Sequence, residues 1–332
     1  MRIALDALGT DDAPGPEIEG ALGALEDGPE DLTLLLVGNG PLLEEELTKR
    51  GSDIPRGRLE VVHAPDRILP GESPATAVRR RPQSSIVTGI RLQKEGRAEA
   101  FVSAGSTGAV MAGSLILLRP LPGVDRPAIG TLLPTAAGPT LMLDAGANVD
   151  CKSRHLLQFA QLGHIYAQDL MGLERPRVAL LNIGEEPEKG DELALETHAL
   201  LRKAPGINFV GNVEGRDIIQ GACDVLVCDG FVGNVLLKFY ESVAEFIVGL
   251  LYREMDRIGT ELDVRGAFRV LDYSEYGGAP LLGVNGVTVI CHGSSTPRAI
   301  RNAIGVASRA VASGMVTHIA RELDLNGTAG ED

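Results

Sequence analysis

Short apolar runs of strand length recur along this chain, and each ends in a small polar or glycine cluster, usually with a helical segment after it. No other feature constrains the fold as strongly. Nine runs can be read. Arg2 to Leu5 enters Asp6-Ala7-Leu8-Gly9, Leu32 to Val37 enters Gly38-Asn39-Gly40, and Leu59 to Val62 enters His63. Phe101-Val102 enters Ser103-Ala104-Gly105-Ser106, and Thr140 to Leu143 enters Asp144-Ala145-Gly146-Ala147-Asn148. Val178 to Leu181 enters Asn182-Ile183-Gly184-Glu185, and Asn208 to Val210 enters Gly211-Asn212. Val225 to Val227 leads to Asp229-Gly230, and Val287 to Ile290 leads to His292-Gly293-Ser294-Ser295. Strands that are apolar throughout, rather than alternating, are buried on both faces. With helices between them they imply an α/β fold whose mostly parallel sheet is flanked on both sides. Ligands in such sheets bind beyond the carboxyl ends of the strands, where these Gly, Ser, Asn and Asp clusters fall.

Helix signals agree with this reading. Ser73-Pro74 reads as an N-cap followed by proline at the first helical position, and Pro297 marks another start. From Asn234 to Arg257, the residues Leu236, Phe239, Tyr240, Val243, Ile247, Leu250 and Leu251 keep helical spacing and form a broad apolar stripe. Core or dimer packing is the favoured use of that stripe, with peripheral lipid contact as the alternative. Ala100 to Leu118 carries no charge and nearly reaches bilayer length, but Ser103 to Gly108 would break a spanning helix. It reads as a buried strand, a glycine turn and a buried helix. No repeat or composition shift marks a boundary. One catalytic domain over 1–325, allowing two intimate lobes, and a frayed tail at 326–332 are expected.

Charge narrows the chemistry. The 332 residues carry 31 Lys+Arg against 45 Asp+Glu, a net charge of −14, which argues against wrapping a nucleic-acid backbone. Four cysteines without a paired C-x-x-C give neither a disulfide scaffold nor a zinc site, so a reduced, cytoplasmic protein is expected. The first residues meet Asp6 too soon to supply an apolar signal-peptide core. Gly38-Asn39-Gly40-Pro41-Leu42-Leu43 fails as a dinucleotide fingerprint, because Leu43 stands where the third glycine belongs and Pro41 removes an amide. No Walker loop or G-x-S-x-G elbow is present, and the six histidines are scattered. Neither metal nor cofactor is suggested.

Three segments carry possible chemistry. Ser103 to Gly108 joins a strand to a helix, where aligned amides and the helix dipole can hold an anion. Lys189 is a scarce lysine among acids in Asn182 to Gly190, a setting also consistent with a solvated loop. His292-Gly293-Ser294-Ser295 puts a histidine and two hydroxyls at a strand end. Arg79-Arg80-Arg81 is a basic run in an acidic chain, open to an acidic partner, a phosphate or solvent.

Together these clusters resemble the bacterial phosphate acyltransferases of phospholipid synthesis. The matching segments span almost the whole chain: Asp6 to Pro14, Val102 to Ala109, Leu143 to Asp150, Leu181 to Gly190, Gly211 to Asp217, Cys228 to Asn234, Tyr276 to Gly283, and His292 to Ser295. Thr10, Asp12, Ser106 and Asp191 stand where the family pattern has Gly, His, Asn and Asn. The resemblance implies a three-layer α/β/α architecture like that of phosphate acetyltransferases and isopropylmalate dehydrogenases, and a homodimer. It implies transfer of a fatty acyl group from acyl carrier protein to inorganic phosphate. The acyl phosphate would pass to a membrane glycerol-3-phosphate acyltransferase on the way to phosphatidic acid.

Inorganic phosphate is already an anionic nucleophile, so this reaction needs no catalytic Ser or Cys. It does need donors and cations preorganised for phosphate and for the developing oxyanion. On that reading phosphate is assigned to the amides and hydroxyls of Ser103, Gly105, Ser106 and Thr107, with Lys189 and Arg216 supplying charge. Asn148, Asn234 and His292 would donate to the thioester oxygen or protonate the thiolate. Asp6, Gly9, Ser294 and Ser295 complete the expected substrate-binding set. Arg79, Arg80 and Arg81 are the expected docking face for acidic acyl carrier protein, with Arg265 and Arg269 as alternatives. A coenzyme A-dependent phosphate acetyltransferase-like enzyme, a metal- and nicotinamide-dependent decarboxylating dehydrogenase of the related fold and a non-catalytic carrier-binding module are the rival readings; the dehydrogenase would need clustered Asp ligands, and no D-x-x-x-D helix pattern appears.

Overall fold

Parallel pairing decides which loops of this protein share an edge, and the computed structural model shows the pairing for residues 1–50, 57–258 and 275–327. The described strands are β1 (Arg2–Asp6), β2 (Thr33–Gly38), β3 (Leu59–His63), β4 (Ala100–Ser103), β5 (Ala128–Leu133), β6 (Thr140–Leu143), β7 (Arg177–Leu181), β8 (Asn208–Val213), β9 (Val225–Val227), β10 (Ala279–Leu282) and β11 (Val287–Ile290). The chain forms two units. The first comprises Met1–Pro127, Asp169–Gly172 and Tyr276–Asp332; the second comprises Ala128–Gln168 and Leu173–Glu275.

In the first unit the strand order is β3-β2-β1-β4-β11-β10. All neighbours are parallel except β10 and β11. Leu5 pairs with Val102, and Val102 with Val289, so β1, β4 and β11 end side by side. Ile3, Ala4, Leu5, Phe101 and Val102 have no solvent exposure, as expected of strands covered on both faces. Helices Gly15–Asp27 and Pro297–Ala312 pack on each other, and helix Ser85–Lys94 lies against β1, β2 and β4. His318 is tied to Asp169 at 3.0 Å, anchoring the short Asp169–Gly172 piece to this unit.

In the second unit the order is β5-β6-β9-β7-β8, parallel except for β5 and β6. Helices Ser153–Met171 and Gly230–Ile258 belong largely or wholly to it, and Tyr240 of the latter donates to the Pro134 carbonyl.

The α/β class, with a mostly parallel sheet and flanking helices, matches the expectation. Two strands were missed, β5 and β10, and both are antiparallel to a neighbour. An antiparallel strand needs no crossover helix, so it lacks the strand-then-helix signature. Gly130 and Pro280 also weaken the strand signal of the two segments. Ser73 does occupy the N-cap position before Pro74, but its hydroxyl donates to Thr76 Oγ1 and caps no amide. The uncharged stretch resolves into β4, a turn, and the helix Thr107–Leu117. No single described helix is long and apolar enough to cross a membrane. Arg265 and Arg269 lie outside the described residues.

Candidate active site

Three loops of the first unit converge because the strands carrying them end together. β1 delivers Asp6, β4 delivers Ser103, and the backbone after β11 continues the ladder, with Cys291 N–H donating to Ser103 O at 2.8 Å. Asp6 and Ser103 are buried, at 1% and 0% exposure. Ser103 Oγ donates to Asp6 Oδ2 at 2.7 Å and accepts from Gly105 N–H at 3.0 Å. Asp6 Oδ1 accepts from Leu8 N–H. These two side chains therefore shape the turn from beneath, and the Ser103 hydroxyl assigned above to phosphate is engaged by Asp6. Burial raises the Asp6 carboxyl above the usual range, against the lowering effect of hydrogen bonds from Ser103 and Ser85.

The loop after β1 presses on the turn after β4. A Cβ on Gly9 would lie 2.8 Å from the amide nitrogens of Ala104 and Gly105, so only glycine fits without displacement. Ser106 caps the helix Thr107–Leu117 through Ala109 N–H. The helix geometry leaves the N–H groups of Thr107 and Gly108 without carbonyls behind them. From β11 comes His292, exposed, with Nδ1 2.7 Å from Ser294 Oγ. Gly293 O accepts from Asp11 N–H at 2.8 Å, joining the first and third loops. Ser295 is buried, and its N–H donates to His292 O.

Gly9, Gly105, Ser106, Thr107 and His292 thus line one cavity of about 330 Å³, together with Asp11 and Arg67. Arg67 Nη2 donates to Thr10 O at 2.8 Å and Gly9 O at 3.2 Å. Under this loop Glu17, with no exposure, accepts from Thr10 N–H at 2.7 Å. Burial pushes its carboxyl up to about 7. Arg67, Asp11 and Glu17 were absent from the expected set.

The second unit contains a different cluster. Asp144 is fully buried and accepts from Ile129, Ala147 and Asn148 N–H and from the Asn148 amide. Burial raises this carboxyl, while those bonds oppose the rise. Asn148 O accepts from Gly230 N–H at 2.8 Å, and a Cβ on Gly146 would lie 3.3 Å from Asn234 Cβ. The clusters at Asp144–Asn148 and Gly230–Asn234 are therefore packed together around Asp144. Lys189 lies on another loop, exposed, with its stem beside Gly184 and its carbonyl held by Asn182 Nδ2. Arg216 is paired with Glu214 at 2.8 Å, which spends part of the charge assigned to it. Asp191, which replaces an asparagine of the family pattern, caps the helix Glu192–Leu201.

Arg79 and Arg80 are exposed at the end of helix Pro74–Arg80, while Arg81 pairs with Glu72 at 3.2 Å. The long helix Gly230–Ile258 shows Phe231, Phe239 and Phe246 each more than 60% exposed.

A family model described as fatty acid synthesis protein matches residues 1–318. A phosphate acyltransferase of Heliobacterium modesticaldum is 53% identical over 327 residues, covering 96% of each chain. One of Moorella thermoacetica is 49% identical over 339 residues, covering 100% of this chain and 97% of its own. The chain belongs to this phosphate acyltransferase family. It is an acyltransferase enzyme. Among solved structures, the EutD phosphotransacetylase of Staphylococcus aureus superposes with a TM-score of 0.62 at 16% identity, covering 94% of both chains. A phosphotransacetylase of Streptococcus pyogenes gives 0.62 at 18% identity, again covering 94% of both. At such identities these two neighbours establish the fold alone.

Within the family, the loops quoted from the sequence acquire distinct physical jobs. Asp6, Ser103 and Ser295 lie beneath the first-unit loops as buried supports. Gly9, Gly105, Ser106, Thr107 and His292 form the lining. Asp144, within one of the matching segments, is the buried acceptor that organises the second-unit cluster.

Proposed function

We propose that this enzyme moves a fatty acyl group from acyl carrier protein to inorganic phosphate, releasing an acyl phosphate for phosphatidic acid synthesis in the cytoplasm. The observation that carries this reading is the first-unit cavity. It presents the uncapped amides of Thr107 and Gly108, the Ser106 and Thr107 side chains and His292 in one place. A phosphate oxygen attacks the thioester carbonyl, the C–O bond forms, and the C–S bond breaks. The carrier's thiolate leaves and takes a proton. Helix amides orient the nucleophile, and His292 supplies the proton. Lys189, Asn148 and Asn234, in the second unit, keep only the candidate roles of cation and donors that the family resemblance implies.

Carrier docking is assigned to Arg79 and Arg80, which stay exposed in an acidic chain. The apolar face of Gly230–Ile258 is assigned to a second copy, giving a homodimer, because three exposed phenylalanines on one helix form a patch that water disfavours. Light scattering of the intact chain and of Phe239→Glu tests this: a dimer that becomes a monomer supports it. A wild-type monomer that floats with liposomes would assign the face to lipid.

The function itself is tested by incubating the enzyme with phosphate and either palmitoyl-acyl carrier protein or palmitoyl-coenzyme A. Acyl phosphate, trapped with hydroxylamine, should form from the carrier thioester. Product from coenzyme A alone would favour the acetyltransferase-like alternative. Carrier binding without product would mark a non-catalytic module.

A further inference from the structure

We propose that Arg67 is the phosphate-binding cation of the first-unit cavity and sets the enzyme's affinity for phosphate. The inference rests on the reading of that cavity as the phosphate site. Among the described residues, no lysine and no second arginine lines it. The fixed charge there besides Arg67 is the carboxylate of Asp11, which would repel a dianion. Asp6, buried under the same loops, feels the field of Arg67, which lowers its carboxyl against the larger effect of burial. Helix amides supply partial charge but no full positive charge, so a dianion beside Asp11 calls for a cation.

The way Arg67 is held suits that task. Its Nη2 carries two N–H groups, and the carbonyls of Thr10 and Gly9 accept from this nitrogen at 2.8 and 3.2 Å. Of the five guanidinium donors, the three on Nε and Nη1 have no protein partner among the described residues. The side chain is part-buried, anchored at one tip and cannot drift freely into solvent. Two carbonyls orient the fork without cancelling its charge. A planar fork with an unused edge is the geometry that takes two oxygens of a phosphate at once. The Thr10 backbone that receives Arg67 is itself clamped by Glu17, so the anchor is rigid.

The test titrates the intact enzyme with inorganic phosphate by calorimetry, for wild type, Arg67→Gln and Arg67→Lys, and measures steady-state KM for phosphate and acyl donor. Arg67→Gln should weaken phosphate binding about 10- to 100-fold, the range for losing hydrogen bonds to a charged group. KM for phosphate should rise in parallel, with acyl-donor KM changing less than about twofold. Arg67→Lys, which restores charge but not the fork, should recover part of the loss. Should Arg67→Gln fail to fold, Arg67→Lys decides alone, with a several-fold rise in phosphate KM expected. Equal losses in both variants that also raise acyl-donor KM would make Arg67 a loop tie and overturn the proposal. Wild-type binding that Arg67→Gln leaves unchanged would overturn the role of Arg67 alone. A wild-type enzyme whose phosphate binding is absent, or insensitive to Thr107→Pro, would overturn the cavity reading together with this one.

Discussion

Replacing Glu17 by Gln should make the stability of this enzyme less sensitive to alkali. Glu17 is fully buried, and Oε1 accepts from Thr10 N–H at 2.7 Å. Oε2 and Thr10 Oγ1 are buried as well, and the hydrogen bonds from Thr10 lower the carboxyl against the larger effect of burial. In the unfolded chain the carboxyl ionises near 4.5, whereas in the folded chain it keeps its proton to about 7. Between those values the folded state binds more protons, so stability falls as pH rises through the window. The loss is complete above about pH 7 and amounts to about 3 kcal/mol at 1.36 kcal/mol per pH unit. Glutamine keeps the acceptor for Thr10 and cannot ionise. Its new buried N–H₂ group costs about 1–3 kcal/mol if it finds no acceptor, but that cost is the same at every pH. The pH dependence therefore isolates the charge. Urea unfolding followed by circular dichroism at about pH 4.5 and about pH 8 gives the comparison. The variant should gain on wild type by up to about 3 kcal/mol between the two pH values. A difference that does not change with pH would refute the assignment of a buried, proton-holding carboxyl to Glu17.

Three further outcomes are expected. Gly9→Ala places a methyl 2.8 Å from two amide nitrogens beside the cavity, so it should raise KM for phosphate about tenfold or more in initial-rate assays, from roughly 1.4 kcal/mol of displaced geometry; an unchanged KM would separate that contact from binding. Lys189→Ala should lower kcat on the order of 10²-fold with normal thermal melting, by comparison with loss of one oxyanion donor; near-normal turnover would remove Lys189 from the reaction. Arg80→Glu should raise KM for the carrier thioester and flatten its dependence on salt; a constant KM across a salt series would place docking elsewhere.

How much of this was legible in the sequence depends on what each residue is next to in space. Apolar runs revealed β1, β4 and β11 because strands covered on both faces leave no room for polar residues. Their parallel order, which no run discloses, is what puts Gly9, Thr107 and His292 on one cavity. Ser103 announced a hydroxyl, but its engagement by Asp6 arises from a contact 97 residues away in the chain. Glu17 stands in the first turn of its helix, and only packing shows that it is buried. Arg67 sits in a segment without periodicity, and nothing local marks it as a lining residue. Arg216 is the opposite case. Its partners Glu214 and Asp217 are close in the chain, yet its charge was assigned to substrate without weighing them.

The central claim is direct attack of phosphate on the thioester with no acylated enzyme on the way. Intact-protein mass spectrometry after mixing the enzyme with palmitoyl-acyl carrier protein, first without and then with phosphate, tests it most directly. The account predicts unmodified enzyme mass in both samples and acyl phosphate only in the second. An enzyme heavier by one acyl group before phosphate is added, and discharged by it afterwards, would contradict the account.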